Sequence, residues 1–119
     1  MRIELGSLPD RTLNPNAKPH YMELARARRA AGDLTMFLVL EQGRPAKPYK
    51  KAHISVTWIA GDKRRRDEDN LIASLKPYID KLVTVGVIED DSVRHVTYAF
   101  KYTYGRKGYY NTIIEVTEE

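Results

Sequence analysis

The sequence predicts an α+β domain, a two-layer α/β sandwich in the order β-α-β-α-β-β, with a mixed sheet and a C-terminal hairpin. Three observations predict it. Residues 52–60 alternate strictly, with Ala52, Ile54, Val56, Trp58 and Ala60 on one face and His53, Ser55 and Thr57 on the other, the pattern of a half-buried strand. Residues 20–42 and 71–83 instead carry apolar side chains three and four apart, the pattern of helices that bury one stripe. Two further alternating runs are separated by GRKG (105–108), a turn composition. Helices and a sheet that each hide one apolar face are satisfied by packing on one another.

In chain order, Arg2–Leu5 reads as a short edge strand, with Ile3 and Leu5 facing one way. SLPDRTLNPNAKP (7–19) holds three prolines and two asparagines, so it is an irregular loop. From His20 to Gln42, Leu24, Ala27, Ala31, Leu34 and Leu38 form a helical stripe that Gly43 stops, and Arg26, Arg28 and Arg29 lie away from it. After the loop GRPAKPYK comes the 52–60 strand and then the heptad RRRDEDN (64–70), where Asn70 is the expected N-cap of a second helix. Leu71, Ile72, Leu75, Ile79, Leu82 and Val83 give that helix its stripe, and Gly86 ends it. A strand with Val96, Tyr98, Phe100, Tyr102 and Tyr104 on one face follows GVIEDDS, and Tyr110, Thr112, Ile114 and Val116 mark the last strand. The aromatic row reads as core packing rather than as a base-stacking platform, and His53 and His95 as residues of a polar strand face.

The whole chain, 1–119, reads as one domain with a modest core. Its 42% hydrophobic and 30% charged residues are those of an ordinary globular protein. No apolar run approaches the roughly 20 residues that a membrane span needs. MRIELGSLPD lacks a signal-peptide core, so a cytoplasmic setting with no membrane contact is expected. The absence of cysteine excludes disulfides, thiolate zinc sites and a cysteine nucleophile. Residues 1–66 carry 14 Lys/Arg against 6 Asp/Glu, whereas residues 67–119 carry 6 against 10. A basic half joined to an acidic half suits a polyanion held beside a metal-binding patch.

Asp67 and Asp69 share a face wherever the chain is extended, because strand side chains alternate with period two. Convergent carboxylates need a cation, and oxygen ligands without His or Cys favour magnesium or manganese. If the aromatic strand pairs beside 52–60, Asp91 from the Glu89-Asp90-Asp91 group can complete a three-carboxylate cluster. The chemistry this serves is metal-assisted phosphodiester hydrolysis, with Arg64, Arg65 and Arg66 gripping flanking phosphates. By spacing alone, RRRDEDN is equally an exposed charged turn, and EDDS an ordinary turn sequence.

Taken together and in order, RRRDEDNL, LKPYIDKL and GVIEDDSV resemble the RusA family of Holliday junction resolvases, small magnesium-dependent endonucleases of phages and prophages. The likeness covers residues 55–94 and extends more loosely over LNPNAKPHYMELARARR (13–29), with Asn14, Asn16, Lys18, Arg26 and Arg29 in the family's Asn-containing loop and basic first helix. The resemblance implies that Asp67, Asp69 and Asp91 are catalytic, metal-binding aspartates. It gives Asp90 a supporting role, makes Lys76 the active-site lysine, and makes Arg66 the basic residue before the first aspartate. It further implies a magnesium ion, with manganese as a substitute, and a homodimer that nicks opposite strands of four-way or branched DNA. A two-fold dimer suits a two-fold junction. The family commonly sets its lysine three residues after the Asn, whereas Lys76 lies six after Asn70. On a regular helix that places it about 20° off the direction of Asp69 and roughly 10 Å along the axis. Pro77 is expected to distort the helix there, and Asp80, one turn on, to be a structural partner of Lys76 or Lys81.

Two other functions fit the same features: a nuclease for branched or flap DNA that ignores junction symmetry, and a catalytically silent junction-binding protein. A nucleotide phosphohydrolase is disfavoured by the lack of a phosphate-cradling glycine motif.

Overall fold

The computed structural model describes residues 1–119. The elements are β1 (Arg2–Glu4), a 3-10 turn (Arg11–Leu13), α1 (Tyr21–Gln42), β2 (Ala52–Ala60), α2 (Glu68–Ser74), α3 (Lys76–Thr84), β3 (Val96–Tyr104) and β4 (Asn111–Glu118). The four strands form one mixed sheet in the order β1-β4-β2-β3. β2 runs parallel to β3 and antiparallel to β4, and β4 runs antiparallel to β1. The α+β sandwich and the mixed sheet are as the sequence predicts.

The C-terminal hairpin is not. β3 and β4 lie on opposite sides of β2 and share no ladder. The reason lies in their side chains. β4 supplies Ile114 and Val116, which are at most 2% exposed and belong at the centre of a sheet. β3 carries Lys101 and the exposed Tyr98 and Tyr104, which an edge tolerates. Residues 105–110 must therefore cross the end of β2 rather than turn back on β3. The crossing is tied down where the Gly105 N–H donates to the Ala60 carbonyl at 2.9 Å and the Gly108 N–H to the Gly61 carbonyl at 3.0 Å. A Cβ on Gly61 would stand 2.4 Å from the Tyr109 nitrogen and 2.6 Å from the Gly108 nitrogen, so only glycine lets the two backbones approach this closely.

β2 keeps its period-two pattern throughout, with Ala52, Ile54, Val56, Trp58 and Ala60 all buried. The register puts Ile114 of β4 opposite Val56 and Phe100 of β3 on its other flank. α1 and α3 cover this face. α1 buries Ala27, Ala31, Thr35 and Val39, a row rotated slightly from the expected stripe, so Leu24, Leu34 and Leu38 are only partly buried. α3 contributes Tyr78, Ile79 and Leu82. Twenty buried residues make a single core cluster. No helix is long and apolar enough to cross a membrane.

The expected second helix is two. Pro77 has no N–H to offer the carbonyl four residues back, so the ladder tightens at Leu75, whose N–H donates to Ile72 at 3.0 Å, and restarts as α3. α3 ends in a Schellman turn. Gly86 takes φ 85°, its N–H donates to the Val83 carbonyl, and the Val87 N–H donates to Leu82. The following segment is pinned beside the start of β2 by Tyr49–Val87 and Glu89–Tyr49 backbone bonds, both 2.9 Å. Those bonds fix where Asp90 and Asp91 emerge.

Candidate functional site

The helix that carries the first acidic motif starts earlier than expected. Asp67 is its N-cap, with extended backbone (φ −90°, ψ 129°), and the Leu71 N–H closes the first turn on the Asp67 carbonyl at 3.1 Å. Asn70 is therefore inside the first turn, not the N-cap, and its carbonyl accepts the Ser74 hydroxyl at 2.8 Å. Glu68 and Asp69 occupy the first turn, where carboxylates suit the exposed N–H groups. Asp69 no longer follows Asp67 with strand alternation, and its Oδ1 accepts the Asn70 N–H at 3.1 Å. Both carboxylates are exposed, and that of Asp67 lies 3.7 Å from the Arg65 Nε.

The break at Leu75 brings Lys76 to the second acidic motif. Its Nζ donates to Asp91 Oδ2 at 3.0 Å and lies 2.8 Å from Asp80 Oδ1. Asp80 is thus the expected partner of Lys76. The two carboxylates, Asp80 foremost, raise the Lys76 ammonium well above its usual range, and Lys76 in turn holds the Asp91 carboxyl below the usual carboxylate range. Burial and the nearby Asp91 charge push the Tyr98 phenol up. Asp90 accepts the Asp91 N–H at 2.8 Å and lies 3.8 Å from His95 Nδ1, so it braces the turn. Asp67, Asp69 and Asp91 do not gather into a group of three ligand-like side chains, and no other trio of His, Asp or Glu does.

Arg66 is not a free cation. Its guanidinium donates to both oxygens of Asp62, at 2.7 and 3.0 Å, and to the Tyr102 hydroxyl at 3.1 Å. Asp62 also accepts from the Tyr110 hydroxyl at 2.8 Å and the Arg64 N–H at 3.0 Å. Hydrogen bonds from Arg66 first and Tyr110 second hold the Asp62 carboxyl far below the carboxylate range, while Asp62 raises the Tyr110 phenol. This latch fastens the loop before α2 to β3 and to the start of β4. Sequence reasoning passed over Asp62 and placed Tyr102 and Tyr110 only as strand residues, not as its partners. The spacing of Asp62 and Arg66, four apart, was a signal, but Tyr110 lies 48 residues from Asp62.

The remaining basic and amide residues divide between two depressions. Asn14, Asn16, Arg64, Arg65 and Asp67 line a cleft of about 1070 Å³ between the 6–17 loop, α1 and the 108–111 crossing. Arg29 borders a smaller one of about 540 Å³ with Lys76, Asp80 and Lys81. Arg26 and Lys18 are exposed and border neither, Lys18 with a positive φ of 49°. The aromatic row of β3 is only partly core. Phe100 stacks on Trp58 at 5.5 Å, but Tyr98 is 39% and Tyr104 65% exposed, because no helix covers that edge.

Compared with known proteins, the chain matches no family model and no curated protein.

Proposed function

We propose that this chain is a magnesium-dependent, structure-selective DNA endonuclease that resolves Holliday junctions by paired nicks in opposing strands, as its resemblance to the RusA family implies. The observation that carries the proposal is the Lys76–Asp91 ion pair at 3.0 Å, which joins two motifs fifteen residues apart. It supports the reading at the point where the spacing departs from the family's, since the helix breaks at Leu75 and the Lys76 ammonium meets Asp91.

Asp67, Asp69 and Asp91, with Asp90 adjacent, are the residues that would hold the ion; the three do not gather in this structure, so the fit rests on the chemistry of the donor set, whose carboxylates suit a hard divalent cation such as magnesium or manganese. When bound, such an ion polarises a phosphoryl oxygen and lowers the pKa of a coordinated water. The protein's own part is electrostatic. Lys76 keeps Asp91 ionised and offers a cation to a phosphate, and the exposed Arg64, which forms no ion pair, is free to meet a flanking phosphate, with the exposed Arg65 beside it leaning on Asp67. A homodimer in a cytoplasmic setting completes the proposal. β3 supports it as a nine-residue strand with no neighbour on its outer side, a feature proteins ordinarily cover.

The test is a synthetic four-way junction. The protein should bind it without metal and nick opposing strands when magnesium is added. Asp69→Asn should bind as well as wild type but cut more slowly by at least about a hundredfold. Binding without cutting across magnesium and manganese concentrations would make the chain a junction-binding protein. Equal cutting of flaps or single strands would leave a nuclease that is not a resolvase.

A further inference from the structure

We propose that the 1070 Å³ cleft beside Asp67 is a binding site for one unstacked nucleotide of a DNA strand, its base inside and its phosphate at the arginine rim. At about 1070 Å³ the cleft has room for a single nucleotide and part of the chain on either side of it.

The lining supplies each part of the recognition. Tyr109 and Tyr110 on the 108–111 crossing offer aromatic faces, and the Arg106 guanidinium lies 5.5 Å over the Tyr109 ring. A base stacks on such faces whatever its identity. α1 presents small residues to the same cleft, Ala27, Ala30 and Ala31. Base edges need groups that both donate and accept, as side-chain amides do. Four asparagines line the cleft, and their engagement separates them. Asn111 is consumed by the fold, donating to Glu4 and Tyr109 and accepting from Gly6 and Thr112. Asn14 accepts the Asn16 N–H and keeps its amide N–H groups free, while the side chains of Asn16 and Asn70 make no hydrogen bond within the protein.

Charge decides the anionic half. Four arginines but only two aspartates line the cleft. Arg66 is held by Asp62, and Arg65 leans on Asp67, but Arg11 and Arg64 form no ion pair. Their guanidiniums are free for a phosphate. Asp67 borders the cleft while Asp69, Asp91 and Lys76 do not, so the nucleotide sits next to the acidic site rather than in it. Extruding it would fix which neighbouring phosphate meets Asp67. That the polymer is branched DNA rests on the nuclease proposal; the fit of a nucleotide to the cleft does not.

The experiment measures metal-free binding to four-way junctions that each carry one abasic residue, stepped through the crossing. One pair of symmetry-related positions should be sensitive, an abasic residue at either member weakening binding about tenfold, the loss of one stacked base. Ala30→Phe, which puts bulk into the cleft from α1 and leaves every aspartate and arginine in place, should weaken the intact junction about as much and erase the abasic difference. Tyr109→Ala should do the same should the phenylalanine disturb folding. An abasic series with no sensitive position, or a filled cleft that still distinguishes abasic from intact DNA, overturns the site. Should wild type bind no junction, the nuclease proposal falls, and the cleft is judged with single-stranded hexathymidylate. Shifts of the amide resonances of residues 14–16 and 109–111 sustain it, and their absence overturns it.

Discussion

Asp62 accepts four hydrogen bonds, two from Arg66 and one each from Tyr110 and the Arg64 backbone, and of these partners only Arg66, four residues on, left a signal in the sequence. A side chain whose role is set by a residue nearly half the chain away leaves no local periodicity. The i,i+4 pair of Lys76 with Asp80 could be read directly, while Lys76 with Asp91 could be read only through the order of whole motifs. The latch has a pH signature. Because the folded state holds the Asp62 carboxyl below its unfolded value, the stabilisation is fully present above the ordinary carboxylate pKa of about 4 and is lost as pH falls from there. Asp62→Asn should therefore lower the urea midpoint at pH 7. The gap from wild type should begin to close below about pH 4 and go on closing with further acid, as urea titrations at several pH values would record. A gap that stayed constant with pH would mean that the carboxylate charge is not what the latch uses.

Among the elements, β2 was legible to the residue because one face is wholly buried and the alternation is unbroken. α1 was legible in extent, and its rotation was not, since Leu34 and Thr35 differ little in position but exchange places at the core. The hairpin was misread for a stated cause: GRKG has turn composition, but whether two strands pair across a turn depends on which of them the core needs at its centre. The crossing that replaced the hairpin rests on Gly61. Gly61→Ala should cost about 1–3 kcal/mol, the range for forcing atoms into a packed contact, read as a lower urea midpoint with an unchanged slope. It should also disturb the cleft wall at 108–111. An alanine variant as stable as wild type would show that the crossing chain can lift off β2 without loss.

For the molecule as a whole, fold class was legible because layer architecture follows from pattern alone, whereas strand order was not, because it depends on contacts that no window of sequence contains. The formal charge of +4 is a weak indicator by itself, but its arrangement gives a measurable expectation for DNA binding. The logarithm of the binding constant should fall linearly with the logarithm of salt concentration, with a slope of about 0.9 per phosphate neutralised. Arg64→Ala should reduce that slope by about one unit and leave the position of any cut unchanged. An unaltered slope would remove Arg64 from the phosphate contacts. Strand order also governs how the molecule is born. β4 lies between β1 and β2, so β1 has no strand neighbour until Asn111–Glu118 leaves the ribosome. Of the other strands only β3 can dock on β2 before then, and Ile3 and Leu5 wait for a strand partner while residues 6–110 are made. The sheet is closed like an arch, by the piece set last between two flanks already standing.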